Sequence, residues 1–305
     1  MSSKAYVIGG GPLGLGVANE LMKNDYSVVI IEASSTLLGL ASTFSYKGLD
    51  IEKYYHFFYK NDHYNSVKWL REYSETEPLI EWKDISTDSV VSGKRYDFDS
   101  IIEICKLCGI KFPKVIYSLL KLMLFKPSEK LDIVSAEEWA TDAFGYNFAS
   151  SVWIPLLNQK FGSRSKDVSA FWLATRIKRH LSTRGSGSGK SKFGYLVDTY
   201  TPYVDNFQNK IIKNGGEVLF NQPVIELIEN QGRITKIKTS NQVIDVKSSP
   251  VFSTISYAIL NQLVKKNSFI KGLDSFVNMG VVVCILFIKK QLSNHYWTTV
   301  SDNKH

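Results

Sequence analysis

Cysteine is scarce in this chain, with three among 305 residues. That is too few for a disulfide framework, and the expected location is cytoplasmic. Histidine is nearly as sparse. None of the five makes a metal-spaced pair, since His56 and His63 sit on either side of an expected turn, and no metal site is expected. Long apolar runs are missing too. The longest, 115–125 and 281–288, fall short of the roughly 20 residues of a membrane-spanning helix, and Lys121 interrupts the first. The opening "MSSKAYVIGG" enters an apolar strand at once, so no cleavable leader is expected. Internal repeats and nucleic-acid modules are absent, so no nucleic-acid partner is expected.

What is present suits a large buried core and more than one compact unit: 44% hydrophobic and 13% aromatic residues. Charged residues, at 22%, exclude wholesale disorder. The net charge of +8 fits nucleotides, phosphates or an anionic membrane surface, and equally a solvated basic exterior.

The spacing predicts a strand at 4–9, a helix at 12–24 with Leu13, Val17, Leu21 and Met22 turned inward, and a continuous apolar strand at 27–32. Together they make a β-α-β unit. A helix at 64–73 with Asp62 as cap follows, then a mostly helical stretch from 100 to 161 with a capping box at Ser135–Glu138 and a stop at Gly145. Residues 182–192 read as a flexible small-residue loop, and 201–214 as a helix ending at a Gly215–Gly216 turn. "EVLFN", "VIELIEN", "RITKIKT" and "VIDV" read as a meander, with later strands at "PVFSTI" and "VVVCILFI".

Chemistry concentrates in "VIGGGPLGLG". Gly9-x-Gly11-x-x-Gly14 lies between a strand and a helix. Gly9 permits the tight turn, Gly11 lets backbone approach a pyrophosphate, and Gly14 lets helix and strand pack closely. Free N–H groups at the helix start, around Gly10 and Leu13, then face the phosphates, and Pro12 suits that first turn because its missing N–H costs nothing there. Glu32, ending the second strand, is placed to accept both hydroxyls of an adenosine ribose and to repel a 2′-phosphate, which disfavours NADP.

The segment "EASSTLLGLASTF" (32–44) resembles the corresponding stretch of FAD-dependent amine oxidases, phytoene desaturases, protoporphyrinogen oxidases and UDP-galactopyranose mutases. There a Gly-Gly pair lies along the ribityl-phosphate side of the flavin. This chain has Leu38-Gly39 at that place, and Leu40, Ala41 and Ser42 match the continuation. "GLDIEKYYHFFYKND" (48–62), "VWIPLLNQKFG" (152–162), "VSAFWLATRIKRH" (168–180) and "NQPVIELI" (221–228) resemble further blocks of the protoporphyrinogen-oxidase-like branch.

The resemblance implies an α/β fold: a Rossmann-like FAD-binding domain of the glutathione-reductase type with a mostly helical, part-β substrate domain. Its implied divisions are 1–75 and 201–260 for the FAD domain, 76–200 for the helical substrate domain, and 261–305 for the start of a second substrate segment. It adds Ala33, Gly39, Leu40, Ala41 and Val224, the last through its backbone at the adenine, to the expected FAD contacts. It also implies hydride transfer from a C–N or C–C bond of a small molecule to the flavin. Two rivals remain: a non-redox flavoenzyme of the UDP-galactopyranose-mutase kind, and a truncated, non-catalytic remnant.

Two departures stand out. Asp198 and Thr199 occupy positions where the superfamily has glycines. The superfamily also continues past "YWTTVSDNKH", so the resemblance implies a missing C-terminal segment and a weakened FAD site.

Other signals divide. His56 either faces flavin or substrate or is a structural histidine. Arg176, with Lys178, Arg179 and His180, either binds an anionic substrate group or belongs to a solvated helix face. Lys111, Lys114, Lys121 and Lys126 flank the 115–125 run, which is a buried helix with exposed lysines or an interfacial helix in peripheral contact with anionic lipid. "GSGSGKS" (185–191) imitates a phosphate loop, but Arg184 replaces the required glycine. Cys105 and Cys108, inside an apolar helical run, read as buried small hydrophobes.

Overall fold

The computed structural model describes residues 3–59, 66–74, 77–98, 100–109, 113, 116–117, 120, 124–126, 128–182, 191–264 and 279–300. The expected Asp62 cap, the loop at 183–190 and much of the 115–125 run, with Lys111, Lys114 and Lys121, lie outside the described residues.

The first strand, β1 (Lys4–Ile8), leads into helix α1 (Pro12–Lys23) and then β2 (Ser27–Ile31). β1 and β2 pair in parallel, Lys4 beside Ser27 through Ile8 beside Ile31. Two distant segments complete this sheet: β10 (Glu217–Leu219) beside β2 and β14 (Val251–Ser253) beside β1, both parallel, giving the order β10-β2-β1-β14. Every residue of β2 is buried, as parallel strands covered on both faces require. Val7, Val28 and Ile30 point to one face, against Leu15 and Ala18 of α1 and Phe207 and Ile211 of the helix Thr201–Lys213. Tyr6, Ile8, Val29 and Ile31 point to the other, against Leu227, Ile237 and Leu263. Each such side chain contributes about 1.5–3 kcal/mol on burial.

The meander expected after Gly216 is shorter than its sequence pattern suggests. β11 (Val224–Asn230), β12 (Arg233–Thr239) and β13 (Val243–Asp245) form it, antiparallel throughout. "EVLFN" instead enters the parallel sheet as β10, because alternation marks a strand without naming its partner.

A hairpin of β3 (Thr43–Tyr46) and β4 (Leu49–Glu52) follows the first β-α-β unit. β7 (Thr87–Val91) and β8 (Lys94–Asp97) form a second hairpin, which β15 (Trp297–Val300) joins in parallel alongside β7. β5 (Phe58–Tyr59), β6 (Ile80–Ile85) and β9 (Ser191–Leu196) make another sheet, in the order β5-β9-β6.

Among the described residues the stretch from Ile101 to Phe161 is mainly helical, as expected, and Gly145 ends the helix Ala136–Phe144 with φ +84°. Its cap differs in detail: the Ser135 hydroxyl accepts from the Glu137 N–H rather than from Glu138. "VVVCILFI" forms no strand. Val281, Val282, Leu286 and Ile288 stand exposed outside any helix or strand. β-Branched residues gave the strand signal there, but among the described residues no neighbouring backbone completes a ladder.

The chain divides into two compact units. One comprises Met1–Phe58, Asp62–Glu81 and Tyr195–Val283, the other Tyr59–Asn61, Trp82–Gly194 and Cys284–His305. Among the described residues no helix is long and apolar enough to cross a membrane.

Candidate dinucleotide-binding site

The glycine loop joins β1 to α1 as its sequence pattern requires. Gly9 has φ +99°, a conformation that side-chain-bearing residues rarely adopt. A β-carbon at Gly14 would collide with the Gly9 carbonyl oxygen, so helix and strand touch through bare backbone. Gly11 differs. A β-carbon there would meet nothing within 4 Å. Gly11 also caps α1 without any side-chain hydrogen bond, and Pro12 occupies the first turn. The structure thus keeps open space at a helix N-terminus, where backbone dipoles favour an anion.

Glu32 sits just beyond β2 and is only 8% exposed. One carboxylate oxygen accepts the Gly10 N–H at 2.7 Å. The other accepts the N–H and the hydroxyl of Ser34, each at 2.8 Å. The carboxylate is held against the glycine loop, and the oxygen that accepts from Gly10 retains capacity for a further donor. These groups fit a ribose joined to a pyrophosphate.

The segment after Glu32 folds back over the loop. Leu37 and Leu38 are buried, and the Leu38 N–H donates to the Gly10 carbonyl at 2.8 Å. Leu38 stands in the left-handed region, with φ +77°. It is the position where the superfamily has the first glycine of its pair, and the backbone keeps a glycine-like shape without the glycine. Gly39 begins a single turn of 3-10 helix, Gly39–Ala41, and a β-carbon on it would lie 3.6 Å from the Gly11 α-carbon. Ala41 is buried, whereas Ala33, Gly39 and Leu40 are exposed. Leu13 is exposed too, at 68%, contrary to the inward orientation read from helical periodicity; Val17, Leu21 and Met22 do pack on the core.

Val224 opens β11 and is half-buried. The chain just before it is tied to the acidic residue's segment: the Gln222 N–H donates to the Glu32 carbonyl and the Asn221 N–H to the Ser34 carbonyl, both at 3.0 Å. Sequence reasoning missed Thr254. Its hydroxyl lies 2.9 Å from the Ile8 carbonyl and 3.1 Å from that of Gly9, buttressing the loop from the end of β14. Nothing local in "FSTIS" signals this, because the partner is 245 residues away.

His56 follows the β3–β4 hairpin. Its N–H donates to a Glu52 carboxylate oxygen at 3.0 Å, with the ring Nδ1 3.3 Å from the same oxygen. Its ring meets Tyr200 edge-on at 5.8 Å. Burial, then the nearby Glu52, pushes the Tyr200 phenol well above the usual tyrosine range. The hydroxyls of Thr43 and Thr201 meet at 2.8 Å, linking β3 to the helix that begins at Thr201. Thr199, at a superfamily glycine position, has φ +58° and again keeps the glycine conformation. Arg176, the other substrate candidate, is half-buried on the helix Ala170–Ser182 in the second unit.

Cys105 and Cys108 are free, half-buried and buried respectively, and burial pushes the Cys108 thiol up to about 11. Neither property suits a redox pair. Among the described residues no cluster of side chains could hold a metal ion.

The family model of the NAD(P)-binding Rossmann-like domain matches residues 7–73. A comparison with curated proteins gives no match. Among solved structures the chain is similar to one described as a protoporphyrinogen oxidase from Exiguobacterium sp. 255-15, at 16% identity and a TM-score of 0.61 over 86% of this chain and 61% of that one. It is similar to a CLA-producing fatty acid isomerase from P. acnes, at 14% identity and a TM-score of 0.62 over 88% and 62%. It is similar also to a reduced UDP-galactopyranose mutase, at 17% identity and a TM-score of 0.59 over 90% and 59%. The chain therefore spans about three fifths of the length of these structures. The chain has a Rossmann-like fold over the matched residues, within the fold that the five sequence blocks implied.

Proposed function

We propose that the chain binds FAD and belongs to an oxidoreductase that takes a hydride from a C–N or C–C bond of a small substrate. The observation that carries this reading is the Glu32 clasp beside the open space at Gly11. Two of the superfamily types that the sequence blocks resemble also recur by name among the structures of shared fold.

When bound, the flavin supplies the hydride-accepting ring. The protein's residues supply the rest. Glu32 would accept the ribose hydroxyls while Gly10 and Ser34 keep its carboxylate aimed. The N–H groups at the start of α1 would hold the pyrophosphate where Gly11 leaves room. Exposed Leu13 and Leu40 would gain a ligand to cover them. Val224 would meet the adenine through its backbone. His56, fixed by Glu52 at both its N–H and its ring, would face flavin or substrate with Nε2 as the free ring nitrogen.

Three glycine-loop proteins test the reading. Purified wild type, incubated with FAD or with NAD and then desalted, should keep the visible absorbance of flavin and no nicotinamide. Gly11→Ala should retain the wild-type melting temperature, because its β-carbon meets no protein atom, yet bind FAD at least about tenfold more weakly by losing the close approach. Gly14→Ala should destabilise the fold itself by roughly 3 kcal/mol or more, through overpacking against Gly9. A colourless wild-type protein, or unchanged FAD affinity in Gly11→Ala, would overturn the proposal.

A further inference from the structure

Two cations in the second unit converge on one indole. Lys160 lies in the helix Ile154–Phe161, and Trp172 and Arg176 lie four residues apart, on one face of the helix Ala170–Ser182. The Arg176 guanidinium carbon is 5.5 Å from the Trp172 ring centroid, and Lys160 Nζ is 5.9 Å from it. Phe161 fixes the ring from another side, edge-on at 5.0 Å.

Neighbouring basic groups are occupied. Arg164 pairs with Asp167 at 2.7 Å, Lys178 Nζ donates to the Phe125 carbonyl at 3.0 Å, and Arg179 lies over the Tyr59 ring at 5.8 Å. Arg176 and Lys160 have the indole alone: among the described residues no carboxylate stands within ion-pair distance of either. Partial burial, then the charge of Arg176, lowers the proton affinity of Lys160. Two like charges beside one ring repel, and a cation–π contact returns only about 0.5–1 kcal/mol each at such a site. A half-buried guanidinium with no oxygen acceptor among the described residues is the unusual part, since its planar fork suits two oxygens of one oxyanion.

We propose that Arg176, Lys160 and Trp172 form a binding site for a doubly charged oxyanion, the phosphoryl group of a small molecule. Arg176 takes two of its oxygens, Lys160 a third, and the indole holds both cations in place. The site stands independently of the FAD reading, because it uses no residue of the glycine loop.

Inorganic phosphate is the probe, added at constant ionic strength to protein carrying 15N-labelled indole. The Trp172 resonance is assigned by its disappearance in Trp172→Phe. It should shift saturably with phosphate, and should shift at least tenfold more weakly in Arg176→Gln and several-fold more weakly in Lys160→Gln. The same titration in Gly11→Ala should leave the Trp172 response unchanged, which separates this site from phosphate at the glycine loop. Acetate should produce no comparable shift. A Trp172 resonance that stays still, or one that moves equally in Arg176→Gln, overturns the site. An equal response to acetate overturns the assignment to a doubly charged group.

Discussion

Leu38 shows how a single residue can hold a shape made for another. Its φ of +77° costs an L-residue about 1–2 kcal/mol, yet its side chain is almost wholly buried, which returns about 1.5–3 kcal/mol. Burial wins, so leucine stays. Truncation should reveal the two opposed terms. Leu38→Ala should lose about 2–4 kcal/mol, because it forfeits the burial and keeps the strain. Leu38→Gly should lose about 1 kcal/mol less, the reverse of the usual ranking of alanine over glycine. Urea unfolding of the two variants measures this, and the usual order would show that the backbone is not left-handed there. At this scale the sequence was legible wherever chemistry and letter coincide. The triad Gly9, Gly11 and Gly14 and the acid Glu32 could be placed from spacing alone. Leu38 could not, because an apolar letter does not disclose a left-handed backbone. Thr254 could not either, because its partners are distant in sequence.

Among the elements, the β7–β8 hairpin depends on one charge. Asp88, on β7, is 1% exposed, and neither carboxylate oxygen has a well-aligned hydrogen bond. Arg95, on β8, stands 3.0 Å from it, and His295 Nε2 approaches from before β15 at 3.8 Å. Arg95 also donates to the Ser293 hydroxyl at 2.8 Å. Arg95→Met should therefore destabilise by about 3–5 kcal/mol, since it leaves a buried carboxylate with little compensation. Asp88→Asn in the same chain should restore much of the loss. Thermal melts of the single and double variants decide it, and equal losses would show that Asp88 is hydrated. This hairpin escaped the sequence reading, which passed from the helix near 73 directly to the helical stretch at 100. "IEWKDI", "TDSVV" and "KRYD" are short and largely polar, so neither length nor apolar runs mark them as strands. "VVVCILFI" errs in the opposite sense, with a strong strand composition and no ladder partner among the described residues. Local pattern reports what a segment can do, while tertiary partners determine whether it does so.

For the molecule as a whole, burial of weak acids sets the alkaline limit of stability. The Cys108 thiol is raised from 9.0 to about 11, chiefly by burial and then by Cys105, against a bond from Ser151. The phenols of Tyr6, Tyr200 and Tyr203 are raised as well, each first by burial. The unfolded thiol releases its proton near pH 9 while the folded one keeps it to about pH 11. Deprotonation thus favours the unfolded chain, and the contribution present below pH 9 is lost as the pH rises toward 11. The urea midpoint should fall between those values and fall more steeply once the tyrosines join above their ordinary range. Cys108→Ala should flatten the first part of that decline. A midpoint unchanged up to pH 11 would mean that these groups are hydrated in the folded protein.

The parallel sheet takes two strands from residues 4–31 and two from residues 217–253. During synthesis the first pair must therefore wait, at about 5–20 residues per second, for some ten seconds or longer before its neighbours leave the ribosome. Over that interval β1 and β2 present bare edges and fully apolar faces to whatever is nearby, and the closure that ends it spans a long stretch of intervening chain. The candidate crevice, although its glycines and acid lie within the first forty residues, is thus a late product of folding, complete only when Thr254 arrives to buttress the glycine turn.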